Sequence, residues 1–163
     1  MEKKTRSVPM EELYKVIALQ LETGGRAQLT VTGRSMLPLL RAYRDAVELI
    51  PVSGGQQKGK IILYRRENGQ FVLHRIVRLT RDGYICCGDN EAAQEPVRQE
   101  QLLAVVDGLV RKGKRIEMND PLYRLYTALW VGLFPLRGVY IAIRRLCGRC
   151  YRGIHKHFKK KEK

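Results

Sequence analysis

Apolar residues along this chain change their spacing at a few well-defined points, and each change predicts a different kind of element. From residue 8 to 23 they recur at helical intervals through Leu13, Val16, Ile17 and Leu21, which predicts an amphipathic helix with Ser7 as its cap and Gly24-Gly25 as its stop. Beyond residue 26 they form short runs, punctuated by Ser53-Gly54-Gly55, Glu67-Asn68-Gly69 and Arg81-Asp82-Gly83. These runs predict strands over 27–32, 45–52, 59–66, 70–79, 83–87 and 101–118, the last divided near Asp107-Gly108. Short strands at this spacing imply a mainly β protein built as a coiled antiparallel sheet or partly open barrel, with the helix at its N-terminus.

At Asp120-Pro121 the pattern changes again. Leu122 to Ile143 is rich in Leu, Tyr, Trp and Val but carries Arg124, Pro135 and Arg137, so its longest uncharged stretch is Leu125 to Leu136. That falls short of the ~20 apolar residues of an ordinary spanning helix, and Pro135 would kink it. The chain therefore divides into residues 1–120, which hold the N-terminal helix and the predicted strands, and a helical, basic extension over 121–163.

Length and composition narrow the picture. At 163 residues the chain is long enough to bury a core without staples, and its four cysteines, with no signal peptide ahead of them, imply reduced thiols. The net charge is +15. From Arg144 onward there are nine basic residues against the single acid Glu162, so over half of that excess lies in the last twenty residues. Such a tail seeks an acidic partner. Aromatic residues Tyr123, Tyr126, Trp130, Phe134 and Tyr140, mixed with arginines ahead of it, suggest an anchor in the headgroup layer of an anionic membrane. A helical hairpin packed on the β-domain and a spanning helix are the alternatives. Nucleic acid would satisfy the same charge, but no recognition helix, zinc finger or aromatic RNA-binding motif accompanies it. Cys147-Gly148-Arg149-Cys150 with His155 and His157 has zinc-ligand types, yet in a field that repels cations, so neither metal nor cofactor is expected. With no N-terminal apolar anchor, the expected location is cytoplasmic, peripheral at the inner face of the membrane.

Candidate chemistry lies on the β-region. Ser35 sits in Thr32-Gly33-Arg34-Ser35-Met36-Leu37-Pro38, where Gly33 and Pro38 prevent a helix from running smoothly through it. A serine needs such exposure and a neighbouring base to act as a nucleophile. His74, in Phe71-Val72-Leu73-His74-Arg75-Ile76-Val77, is the one histidine outside the basic tail, and Gly88-Asp89-Asn90 follows it.

In this order, Gly-x-Ser-Met-x-Pro, His-Arg-Ile-Val and Gly-Asp-Asn resemble the signal peptidase I superfamily, serine peptidases that include the self-cleaving SOS repressors. The resemblance covers roughly residues 27 to 115. Most bacterial members carry lysine in the slot that His74 fills, so the chain is similar to the serine/histidine branch. The resemblance implies a signal-peptidase-type fold, Ser35 as nucleophile with its own N–H in the oxyanion hole, Met36 lining the cleft, and His74 as general base. Asp89 matches the family's aspartate, while Glu95 lies where the acid of the endoplasmic-reticulum-type enzymes would fall. Either can orient the imidazole, and Asp89 is favoured as the residue in the recognised motif. Gly33 departs from the family's oxyanion-hole serine, and Lys60 from its usual aspartate. The implied activity is endopeptidase cleavage of an extended peptide or precursor with small residues near the cut. A peptide-binding module that does not cleave and a basic membrane- or nucleic-acid-associated protein are the competing readings.

Overall fold

In the computed structural model, which describes residues 9–134, 136 and 139, the chain forms an eight-stranded antiparallel sheet with two helices. Helix α1 spans Met10–Glu22 and is followed by strands β1 (Ala27–Thr30), β2 (Ala46–Ile50), β3 (Ile61–Arg65), β4 (Phe71–Leu79) and β5 (Gly83–Cys87). Strands β6 (Glu95–Arg98), β7 (Leu102–Arg111) and β8 (Lys114–Glu117) come next, and helix α2 (Pro121–Gly132) ends the described elements. The strand order is β1-β2-β7-β3-β4-β5-β6, with β8 paired to β7. The sheet is open, with β1 and β6 at the two ends of that path.

Helix α1 stops where its glycines predict. Gly24 takes a left-handed φ of +75°, and the N–H groups of Gly24 and Gly25 donate to Leu21 and Gln20, closing the last turn. Ile17 and Leu21 face inward, where they join Leu29, Val31, Leu40 and Leu49 in one apolar cluster. The predicted cap Ser7, the basic tail and the Cys147–His157 segment lie outside the described residues.

Alternation along β3 and β4 gives the sheet two different faces. Ile61 and Leu63 enter the cluster beneath α1, while Ile62 and Tyr64 enter a second cluster with Val72, Ile76, Tyr84 and Val97. Ile62 stands opposite His74 and Ile61 opposite Arg75, so the neighbouring residues His74 and Arg75 point to opposite faces.

Two strand boundaries differ from expectation. The break predicted near Asp107-Gly108 falls instead at Lys112-Gly113, whose φ values of 50° and 77° form the tight turn of the β7–β8 hairpin. Gly108 stays inside β7 beside a bulge, where a Cβ would come within 2.6 Å of the Glu48 carboxylate. Strand β6 was not expected at all. Its Pro96 reads as a break, but β6 pairs only with β5 and lies at the sheet's edge, where a missing N–H is tolerated.

Candidate active site

Ser35 lies in the loop between β1 and β2, which is pinned at both ends. Met36, Leu39 and Leu40 bury their side chains in the core on one side of it. Met36, expected to line a substrate cleft, is a core residue, because the turn directs it under α1 and away from the surface. At the loop's other end, buried Asp45 accepts hydrogen bonds from the backbone N–H groups of Arg41 and Lys112 and pairs with Arg44. Burial opposes its charge, but these donors outweigh it and pull the pKa down to about 2.

The Gly88-Asp89-Asn90 turn closes on this loop. The Asn90 N–H donates to the Ser35 carbonyl at 2.6 Å, and the Asn90 side-chain amide donates to the Arg34 carbonyl at 3.2 Å. A Cβ at Gly88 would lie 2.9 Å from the Ser35 Cβ and 3.1 Å from His74 Nε2. Serine and imidazole therefore meet over a position that has room only for glycine.

His74 is 3% exposed on β4, and its other nitrogen, Nδ1, is 3.0 Å from Glu95 Oε1. Arg66 holds that carboxylate with two bonds, Nε to Oε2 at 2.7 Å and Nη2 to Oε1 at 2.8 Å, and the Tyr64 hydroxyl donates to it as well. Burial raises the pKa of Glu95, but the bonds from Arg66 and Tyr64 prevail and keep it below the ordinary carboxylate value. The Tyr64 hydroxyl also lies 3.1 Å from Nδ1. Its proton goes to the anionic Glu95, so both oxygens face Nδ1 as acceptors and favour the tautomer with the proton on Nδ1 and the lone pair on Nε2. Burial also lowers the His74 pKa, against the opposing pull of Glu91 and Glu95, so the neutral imidazole persists. Glu91 lies at the mouth of this arrangement, with Oε2 3.5 Å from Nε2.

The acid expected to orient His74 was Asp89, and its carboxylate is directed elsewhere. Asp89 is fully buried and accepts both Nε and Nη2 of Arg75, at 2.9 and 2.8 Å, and the Tyr126 hydroxyl at 3.0 Å. The cause is strand parity. His74 and Arg75 point to opposite faces, and Asp89 follows Arg75. Arg75 also donates to the Gly59 carbonyl, the Tyr123 hydroxyl and Thr127, and Trp130 donates its indole N–H to the Asp89 carbonyl. Helix α2 is therefore bonded to the back of the turn that carries Asn90, so residues 121–132 share structure with the segment before 120.

The structure brings together Ser35, His74 and Glu95 among the residues named from sequence, and it adds Tyr64 and Arg66, which sequence reasoning missed. The signal was present. Tyr64 follows Ile62 at an interval of two on β3 and so shares the face that carries His74 on the neighbouring strand, and Arg66 keeps that spacing one residue past the end of β3. Among the described residues no group of three or more His, Cys, Asp or Glu is arranged to hold a metal ion, and no helix is long and apolar enough to cross a membrane. No family model matches the chain, and neither a curated protein nor a solved structure of significant similarity was found.

Proposed function

We propose that this protein is a serine endopeptidase of signal-peptidase type, with Ser35 as nucleophile, His74 as general base and Glu95 as the residue that orients His74. The observation that carries the reading is the two-sided environment of the imidazole: Nδ1 faces an arginine-held carboxylate, while Nε2 approaches the same point as Ser35. In this reading Nε2 takes the Ser35 proton as Oγ attacks the substrate carbonyl carbon, forming a tetrahedral oxyanion. The imidazolium returns the proton to the leaving amine as the peptide C–N bond breaks. Water, deprotonated by the same nitrogen, then releases the acyl group from Ser35. The Ser35 N–H is one donor for the oxyanion.

A fluorophosphonate probe tests the assignment directly, because it phosphonylates only an activated serine. Modification of Ser35 in the wild-type protein, abolished by His74→Ala, is the expected result. A wild-type protein that the probe leaves unmodified would overturn it. The competing reading, a peptide-binding module without cleavage, draws on Gly33, which supplies no hydroxyl to the oxyanion. That reading predicts peptide binding unaffected by Ser35→Ala and no probe labelling at all.

A further inference from the structure

The aromatic residues of α2 suggested a membrane anchor in the sequence, yet Tyr123, Tyr126 and Trp130 are turned inward onto Arg75 and Asp89. What the helix presents outward is a stripe of leucines. Leu122, Leu125 and Leu129 on α2, with Leu133 at its C-cap and Leu136 beyond it, recur at intervals of three and four and are 78%, 57%, 52%, 51% and 62% exposed. On the other flank of the same helix lies a cleft of about 480 Å³, whose lining includes Lys58, Lys60 and Arg124 around an apolar wall of Met118, Tyr123 and Val131. No carboxylate lines it. Lys60 is also one of the two residues that depart from the signal-peptidase pattern.

We propose that α2 docks on the surface of an anionic bilayer, with the leucine stripe inserted at the acyl boundary and a lipid phosphate held in the Lys58/Lys60/Arg124 cleft. Charge selects this occupant. A second copy of the chain would bring another net charge of +15 against these cations, so the stripe is poorly suited to self-association. A nucleic acid would satisfy the cations and leave five leucines in water. A surface that is apolar just beneath an anionic layer satisfies both halves of the patch. The nine basic residues from Arg144 onward add to the same attraction.

The test reads partition and not cleavage, so it stands apart from the peptidase assignment. Full-length protein is sedimented with phosphatidylcholine vesicles, with and without phosphatidylglycerol. Wild type should partition only when phosphatidylglycerol is present, and L125D/L129D should partition at least tenfold more weakly with unchanged circular dichroism. Removing the cleft charges in K58A/K60A/R124A should weaken partition about fivefold per charge, since each basic residue near an anionic surface contributes ~1 kcal/mol. If L125D/L129D does not fold, Leu122→Asp, at the most exposed of the five positions, serves the same purpose. Partition equal to wild type in the leucine and cleft variants would assign binding to the tail alone and overturn the proposal. So would saturation of the cleft by inorganic phosphate without any vesicle binding. A wild-type dimer that L125D/L129D converts to a monomer by light scattering would identify the stripe as a self-association face, which also overturns it.

Discussion

Glu95 Oε1 lies 3.0 Å from Nδ1 of His74, on the side of the imidazole away from Ser35. The fully buried Asp89 carboxylate is committed to Arg75 instead. These two acids therefore do different work, and replacing each by its amide separates a chemical loss from a structural one. Glu95→Gln removes the anion that fixes the imidazole tautomer, so kcat should fall by about 10⁴, the loss expected when the orienting acid of a serine triad becomes an amide. Its melting temperature should change little, because Glu95 is partly exposed. Asp89→Asn leaves the Arg75 guanidinium buried without its counter-ion and should lower stability by about 3–5 kcal/mol. Kinetics at a temperature where both variants are folded, alongside thermal melts, check this. If Asp89→Asn loses turnover while stability is retained, the roles are reversed.

Gly88→Ala should eliminate activity without any change in a catalytic side chain. Its Cβ would meet the Ser35 carbonyl oxygen at 2.8 Å, the Ser35 Cβ at 2.9 Å and His74 Nε2 at 3.1 Å. The carbonyl is backbone, held by the Asn90 N–H, so the turn and the serine loop must move apart. Ser35 would then be drawn away from His74. Circular dichroism should remain that of the wild type, and the initial rate of probe labelling at Ser35 should drop at least a hundredfold, given the steep dependence of proton transfer on geometry.

Much of the lower-level structure was legible in the sequence because it depends on local chemistry. Helix α1 and strands β1 to β5 follow from apolar spacing and glycine-rich turns. The misplaced break at Gly108 shows where local reading fails, since a glycine in a strand and a glycine in a turn look alike until the Glu48 carboxylate is seen against it. Strand β6 was hidden by Pro96 for a similar reason, because tolerance of proline depends on which strand lies at the edge. In the candidate site, the meeting of Ser35 and His74 beside Gly88 was legible from their motifs. The choice between Asp89 and Glu95 was not, because it depends on which face of β4 each acid reaches, and motif membership pointed to the wrong face. The aromatic residues of α2 read as a membrane belt until Arg75 and Asp89 supplied their hydrogen-bond partners.

Burial lowers the His74 pKa, and this has consequences for both activity and folding. For activity, the imidazole stays neutral below the ordinary histidine value of ~6.5, so the acid limb of the free-enzyme kcat/KM profile should lie below that value. For folding, the unfolded chain takes up the proton first as pH falls. Stability due to neutral His74 is therefore present above ~6.5 and lost as pH drops toward the folded-state value. A His74→Gln variant should lack this part of the pH dependence in denaturant melts. An acid limb at or above pH ~7 would show that Glu91 and Glu95 outweigh burial.

Truncation before Pro121 tests whether α2 is an appendage or a part of the site. A simple division at residue 120 predicts that a protein ending at Asp120 cleaves a short peptide as well as the full chain. The hydrogen bonds argue otherwise. Removing α2 takes away the Tyr123, Tyr126, Thr127 and Trp130 groups that surround Arg75 and Asp89, and opens that pair to water. The turn carrying Asn90 then loses its backing, and with it the bond to the Ser35 carbonyl that sets the loop. The truncated protein should melt at lower temperature and retain less than a tenth of the kcat, with KM for a short peptide less affected. A milder variant distinguishes support from simple unfolding. Trp130→Phe keeps most of the ring's packing but cannot donate to the Asp89 carbonyl, a loss of about 1 kcal/mol for a neutral hydrogen bond. It should fold, and kcat should fall several-fold if the hydrogen bond from α2 to the Asp89 turn holds the serine loop in place. Turnover unchanged in both proteins would leave α2 without a part in the site and restore the division at residue 120.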